Sequence, residues 1–172
     1  MKGLAQAIAA SVAIAAVSTL ADFIWAIWIP EHRAVYGLVH GALLFCAVGL
    51  VLGMLAGRPA PGALGGLVIG GAAAALFYAA SPLAGYSAMF LAWCGVWMAL
   101  AGWYARLRGV AVSGTVLARG AAAATASGLA FYSISGIWMP FDPAGWDYLL
   151  HFAAWTAAYV PGFAAILLGR RS

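Results

Sequence analysis

Leu4–Ile29 reads LAQAIAASVAIAAVSTLADFIWAIWI, an apolar run interrupted by a few small hydroxyls, one glutamine and one acid, Asp22. A helix that crosses the hydrocarbon core of a bilayer needs about twenty mostly apolar residues. Lys2 ahead of a small-residue stretch is how a secretory signal begins, but the apolar core of a signal is roughly 7–15 residues long. This run continues far past that length without a convincing cleavage site, so it is read as a first membrane span.

Five further stretches downstream have the same character: Val35–Leu55, Ala63–Ala80, Tyr86–Tyr104, Leu117–Met139 and Tyr148–Leu168. The segments between them carry helix-stopping residues. Pro30-Glu31-His32-Arg33 follows the first span, Gly57-Arg58-Pro59-Ala60-Pro61-Gly62 the second and Ser81-Pro82 the third. Arg106-Leu107-Arg108-Gly109 follows the fourth, and Pro140-Phe141-Asp142-Pro143 the fifth. Proline has no amide hydrogen and disfavours helix in the residue before it. The expected fold is an all-α integral membrane protein, a single bundle of six transmembrane helices over residues 1–172 with no soluble domain.

Composition agrees. The chain is 66% hydrophobic and 7% charged, with a mean hydropathy of +1.01, whereas about a quarter of the residues of a soluble domain are charged. Cys46 and Cys94 lie inside apolar runs in no metal or redox spacing and read as small buried hydrophobes. No cofactor motif, nucleophile elbow or phosphate loop is present. Nucleic-acid binding has no support, because no basic patch lies on a folded soluble surface.

Charge placement sets the orientation. With the N-terminus inside, Lys2, Arg58, Arg106, Arg108, Arg119, Arg170 and Arg171 fall at cytoplasmic ends, leaving Arg33 alone of the 8 basic residues outside. Basic residues collect on the cytoplasmic side, so both termini are expected there, in a membrane whose Ala/Gly/Arg-rich style suggests a bacterial inner membrane. The net charge of +4 reports this topology rather than an acidic partner. All 4 acids and all 3 histidines fall towards the opposite end.

An internal echo runs through the chain. Ser18-Thr19-Leu20-Ala21, Trp28-Ile29-Pro30 and His40 are answered by Ser127-Gly128-Leu129-Ala130, Trp138-Met139-Pro140 and His151, and Phe77-Tyr78 by Phe131-Tyr132. Three parallel helical hairpins would account for it, set against chance similarity in a composition so rich in Ala, Gly and Trp. Small residues are dense at Gly65-Gly66, Gly70 to Ala75 and Gly120 to Ala126. Side chains of that size let helices approach closely where no hydrophobic effect drives them together, which nominates the third and fifth helices for the centre of the bundle. Trp25, Trp28, Trp103, Tyr104, Trp138 and Trp146 fit interfacial belts.

Asp22 stands out, because a charge at depth costs a few kcal/mol and calls for a partner inside the bundle. His40 lies at a similar depth on the second span and is the expected partner of Asp22, through an interhelical hydrogen bond or a shared ligand. Tyr36 and His40 are four residues apart and share a helix face, as do Asp147 and His151, with Trp155 continuing that face. Asp22, Tyr36, His40, Asp147, His151 and Trp155 are therefore the candidate ligand-binding residues, converging on one outward-facing pocket mouth. Asp147 also has a simpler reading as the acid that complements the positive end of its own helix. Glu31, His32 and Arg33 read as an interfacial turn, and Asp142 as a solvated loop acid. Asp22, His40, Asp147 and His151 are of the right types for zinc, but no metal-ligand spacing supports such a site.

Read in order, the spans resemble the Insig (insulin-induced gene protein) family, six-helix membrane proteins with both termini cytoplasmic. The stretches that carry the resemblance are Gly65-Gly66-Leu67-Val68-Ile69-Gly70-Gly71-Ala72 and Trp103-Tyr104-Ala105-Arg106-Leu107-Arg108-Gly109. Phe131-Tyr132, Gly136-Ile137-Trp138, Tyr159-Val160-Pro161-Gly162 and Gly169-Arg170 complete it, covering the chain from about residue 35. Animal members have an acidic residue where this chain has Ala105, used to hold their sterol-sensing partner, so that partnership does not carry over. The family's polar residues in the third helix are replaced by Ala72 to Ala75. What the resemblance implies is a cavity among the helices for a sterol or a diacylglycerol-like lipid. The expected function is non-enzymatic binding of an amphiphilic membrane lipid, with a membrane-protein partner or homo-oligomer left open. The alternatives are a small transporter or substrate-capture subunit, and a metal-dependent membrane enzyme using the outer Asp/His cluster.

Overall fold

The computed structural model describes residues 2–28, 33–138 and 144–168. They form six α-helices: α1 (Lys2–Trp28), α2 (Arg33–Leu55), α3 (Pro59–Ala84), α4 (Ala88–Leu107), α5 (Gly114–Trp138) and α6 (Asp147–Leu167). A 3-10 turn, Gly85–Ser87, joins α3 to α4, and no strand occurs among the described residues. The helices α1, α2, α3, α4 and α6 contain segments long and apolar enough to cross a membrane. The 25-residue α5 is as long, but Arg119, its glycines and its Thr and Ser residues lower its hydropathy below that of the others.

The short connections use glycine where the chain must turn left-handed. At the end of α2, Gly57 has φ 72°, and the amide of Arg58 reaches back to the carbonyl of Gly53 at 2.7 Å. At the end of α4, Gly109 has φ 70°, and the amide of Val110 bonds the carbonyl of Ala105 at 2.9 Å. Both are glycine-terminated caps that satisfy the last carbonyls of a helix. Pro59 then opens α3 at a position where its missing amide costs nothing.

The expected break at Ser81-Pro82 falls instead inside the last turn of α3. Pro82 cannot donate to the carbonyl of Tyr78, and the Ser81 hydroxyl donates to it instead at 3.2 Å. The helix ends three residues later at Gly85, with φ 56°. Proline near a helix end removes one hydrogen bond; here a neighbour replaces it and the helix continues.

Each helix packs beside its neighbour in sequence, and α6 returns against α1 to close the bundle, while α1 and α2 touch lightly. The tightest pair is α2–α3, across the boundary between the first two expected hairpins. Its seam is glycine on both sides. A Cβ on Gly49 would lie 2.3 Å from the Gly62 carbonyl oxygen, and one on Gly70 would lie 2.3 Å from that of Gly41. Backbones this close gain dispersion contact that a lipid-facing Leu cannot replace.

The centre of the bundle differs from the expectation. Helix α3 buries only Gly62, Gly66 and Gly70, all in its seam with α2; its contact with α4 leaves its remaining residues partly or fully exposed. The most buried helix is α4, with Trp93, Val96, Trp97 and Leu100 inside. Against it lies the face of α6 that carries Trp155, Tyr159 and Phe163. Trp97 stacks edge-on to Phe163 at 5.8 Å between centroids and fills the notch at Gly162, where a Cβ would lie 2.2 Å from its ring. Helix α5 comes closer to the expectation, with Ala123, Ala124 and Ser127 fully buried and Gly120 against the Met98 backbone. Tyr104 is also buried, under the Arg108 guanidinium at 5.8 Å. The side chains of Trp25, Trp28 and Trp138, and the expected turn at Glu31 and His32 and loop at Asp142, lie outside what is described.

Candidate functional site

Asp22 projects from α1 towards α6, and there it finds its partners. His151 Nδ1 lies 2.8 Å from Asp22 Oδ2, and Trp155 Nε1 donates to the same oxygen at 2.6 Å. His151 and Trp155 are 5% and 8% exposed and the Asp22 side chain 21%, so the carboxylate is sheltered but reachable. Two residues four apart on α6 thus clamp one oxygen of one acid. Among the described residues no hydrogen bond reaches Asp22 Oδ1.

The rest of the expected cluster divides. Tyr36 turns its hydroxyl to the Ala21 carbonyl at 2.9 Å, which pins α2 to α1 beside the acid. Its ring lies 5.6 Å from that of His40. Asp22 is within electrostatic range of Tyr36, His40 and Tyr159, so these residues share one end of the bundle. Asp147 does not join them. Its Oδ2 accepts the Ala144 amide at 3.1 Å, closing the first turn of its own helix, the simpler of its two expected roles. Among the described residues no three His, Cys, Asp or Glu side chains gather as a metal-binding group. The Asp22 pair recruits an indole as its third member.

Trp155 has a second side. It lines a cavity of about 110 Å³ between α2, α3, α4 and α6, whose other walls include His40, Phe45, Phe77, Met89 and Trp93. Nearly all of the wall is apolar, and His40 is its polar member apart from the indoles. Glycine and alanine make the space: Gly41, Gly70, Ala73, Ala74 and Ala92 stand where larger residues would close it. A polar clamp and an apolar slot therefore meet at one indole.

Below the clamp the same face of α6 continues inward. Trp155 stacks on Tyr159 at 5.8 Å, and the Tyr159 hydroxyl pairs with the Ser18 hydroxyl at 3.1 Å in a fully buried contact. On the other flank of α6, the Ser127 hydroxyl of α5 donates to the Ala158 carbonyl, one turn before Pro161 opens the helix ladder. Ser18 and Ser127 are the corresponding positions of the internal echo, and each meets α6, from opposite sides. The sequence reading missed Tyr159 and the cavity wall. The signal for Tyr159 was its spacing, four residues beyond Trp155; the cavity wall comes from four helices and had none.

No family model matches the chain, and no curated protein or solved structure is significantly similar to it.

Proposed function

We propose that this is a non-enzymatic, multi-pass membrane protein that binds an amphiphilic lipid from the bilayer, in the manner of the Insig family that its spans resemble. The observation that carries the reading is Trp155, which donates to Asp22 on one side and walls the apolar cavity on the other. A binding site for an amphiphile has this form: an apolar slot with a few placed polar groups fixing orientation. At about 110 Å³ the slot accommodates a segment of one chain or one ring system rather than a whole sterol or diacylglycerol, with the remainder of the molecule lying along the outer surface of the helices. Asp22 and His151 take the head, Tyr36 and His40 border it, and Phe45, Phe77 and Trp93 hold the apolar part. The basic residues Lys2, Arg58, Arg106, Arg108 and Arg119 face the cytoplasm, which puts the site in the outer half of the bilayer of a bacterial inner membrane.

Native mass spectrometry of the protein in mild detergent tests this. One lipid class is expected to co-purify at one molecule per chain, and Asp22→Ala to retain on the order of a tenth of it. Asp147→Ala is expected to retain the wild-type amount, because Asp147 serves only its own helix. Equal loss in both variants, or no retained lipid in the wild type, refutes the reading.

A further inference from the structure

Resting on that reading, we infer that the head taken by Asp22 is an ammonium, so that the preferred ligand is a cationic amphiphile rather than an alcohol or a phosphate ester. Three features lead there.

The first is the second carboxylate oxygen. Both donors from α6 converge on Oδ2, and among the described residues nothing reaches Oδ1 of a carboxylate whose side chain is 21% exposed. A carboxylate oxygen accepts hydrogen bonds, so the group that docks there must donate.

The second is charge. Among the described residues the one ion pair is that of Asp22 with His151. The described side chains of Lys and Arg stand at the opposite end, at Arg58, Arg106, Arg108 and Arg119. The Asp22 carboxylate stands at membrane depth, where an opposite charge is worth most. A phosphate would be repelled by it, an alcohol brings no opposite charge, and an ammonium meets it with a charge-assisted hydrogen bond.

The third is the surroundings. The acid is bordered by aromatic rings: Trp155 bonded to it, Tyr36 anchored to the adjacent Ala21 carbonyl, and Phe23 packed edge-on against Tyr148 at 5.4 Å. Tyr148 lies 6.1 Å from His151. Ring faces attract cations and give anions nothing in return. The cavity that begins at Trp155 then receives the alkyl chain.

Three probes with one tail separate the heads: dodecylammonium, dodecanol and dodecyl phosphate, titrated into the full chain in a neutral detergent. One-to-one adducts are counted by native mass spectrometry, alongside the shift in Tm. The ammonium is expected to bind on the order of tenfold or more tightly than either of the others. Asp22→Asn, which keeps shape and hydrogen-bonding capacity but removes the charge, is expected to level the three. Ala73→Leu, which intrudes on the cavity, is expected to weaken all three while keeping their order; should Asp22→Asn fail to fold, this variant and the wild-type ranking decide. Dodecanol equal to the ammonium, dodecyl phosphate ahead of it, or an ammonium preference that survives Asp22→Asn each overturns the ammonium assignment and leaves lipid binding standing. No saturable adduct with any probe overturns both.

Discussion

Asp22 shows what one ionisable residue demands of a membrane bundle. Its oxygen Oδ2 accepts from His151 and Trp155, and each donor is held by being the residue of α6 that faces α1 at that level. Trp155→Phe keeps most of the ring packing on Tyr159 but removes one donor. It is expected to cost about 1–3 kcal/mol of stability, the penalty for a sheltered acceptor losing a partner, read as a shift in reversible unfolding by detergent titration. Ser18 and Tyr159 make a cleaner pair, because their hydroxyls meet in full burial. Ser18→Ala and Tyr159→Phe should each cost about 1 kcal/mol. The double variant should cost little more than either single one, since both remove the same bond. Additive losses would mean that the two hydroxyls have other partners.

Among the elements, α3 shows most clearly that a small-residue helix and a central helix are different things. Its glycines let α2 approach until backbone meets backbone, yet outside that seam none of its residues is fully buried. Gly66→Leu is expected to separate the pair, because a Cβ there would already lie 2.0 Å from the Phe45 carbonyl oxygen. Overpacking of that kind costs about 1–3 kcal/mol or more, and it should show as lower yield and an earlier unfolding transition. Gly71→Leu, five residues along, where a Cβ would make only an ordinary 3.8 Å contact with the Ala42 methyl, is the control and should be tolerated. Pro82→Ala should likewise leave α3 intact, because the helix already runs through that position to Gly85. The internal echo acquires meaning at the same scale. Ser18 on α1 and Ser127 on α5 flank α6 from two sides, so the repeated serine marks two helices doing the same job. It does not mark three equal hairpins, because α2 binds α3 far more closely than it binds α1.

For the whole molecule, the alternation of six helices brings the described basic residues to one end and the Asp22 clamp to the other. With Cys46 and Cys94 replaced by alanine, single cysteines report which end is which: Ser113→Cys, at the exposed end of the α4–α5 connection, should react with an impermeant thiol reagent only from the cytoplasmic side. Ala144→Cys, just before α6, should react only from the other. Reversed labelling would place the clamp in the inner leaflet and remove the orientation argument.

The sequence by itself determined the helices, because the need to satisfy every backbone amide and carbonyl within apolar surroundings leaves an apolar run of about twenty residues little but a helix to form. It also determined that Asp22 must turn inward and find a donor, since a charge facing lipid is too costly to keep. The sequence pointed to His40 as the partner of Asp22, whereas four-residue spacing showed only that His151 and Trp155 share a face; that this face meets Asp22 came from the packing of α6 on α1. Only the tertiary structure decided which helix lies beside which. In a membrane, small residues license close approach anywhere along the chain, and the choice between α2–α3 and α1–α2 depends on whether two glycine stripes match in depth. With that choice α4 rather than α3 lies at the centre, and the cavity beside Trp155 opens between α2, α3, α4 and α6. A void made by Gly41, Gly70, Ala74 and Ala92 from three helices has no periodicity in any one of them, so packing alone could reveal it.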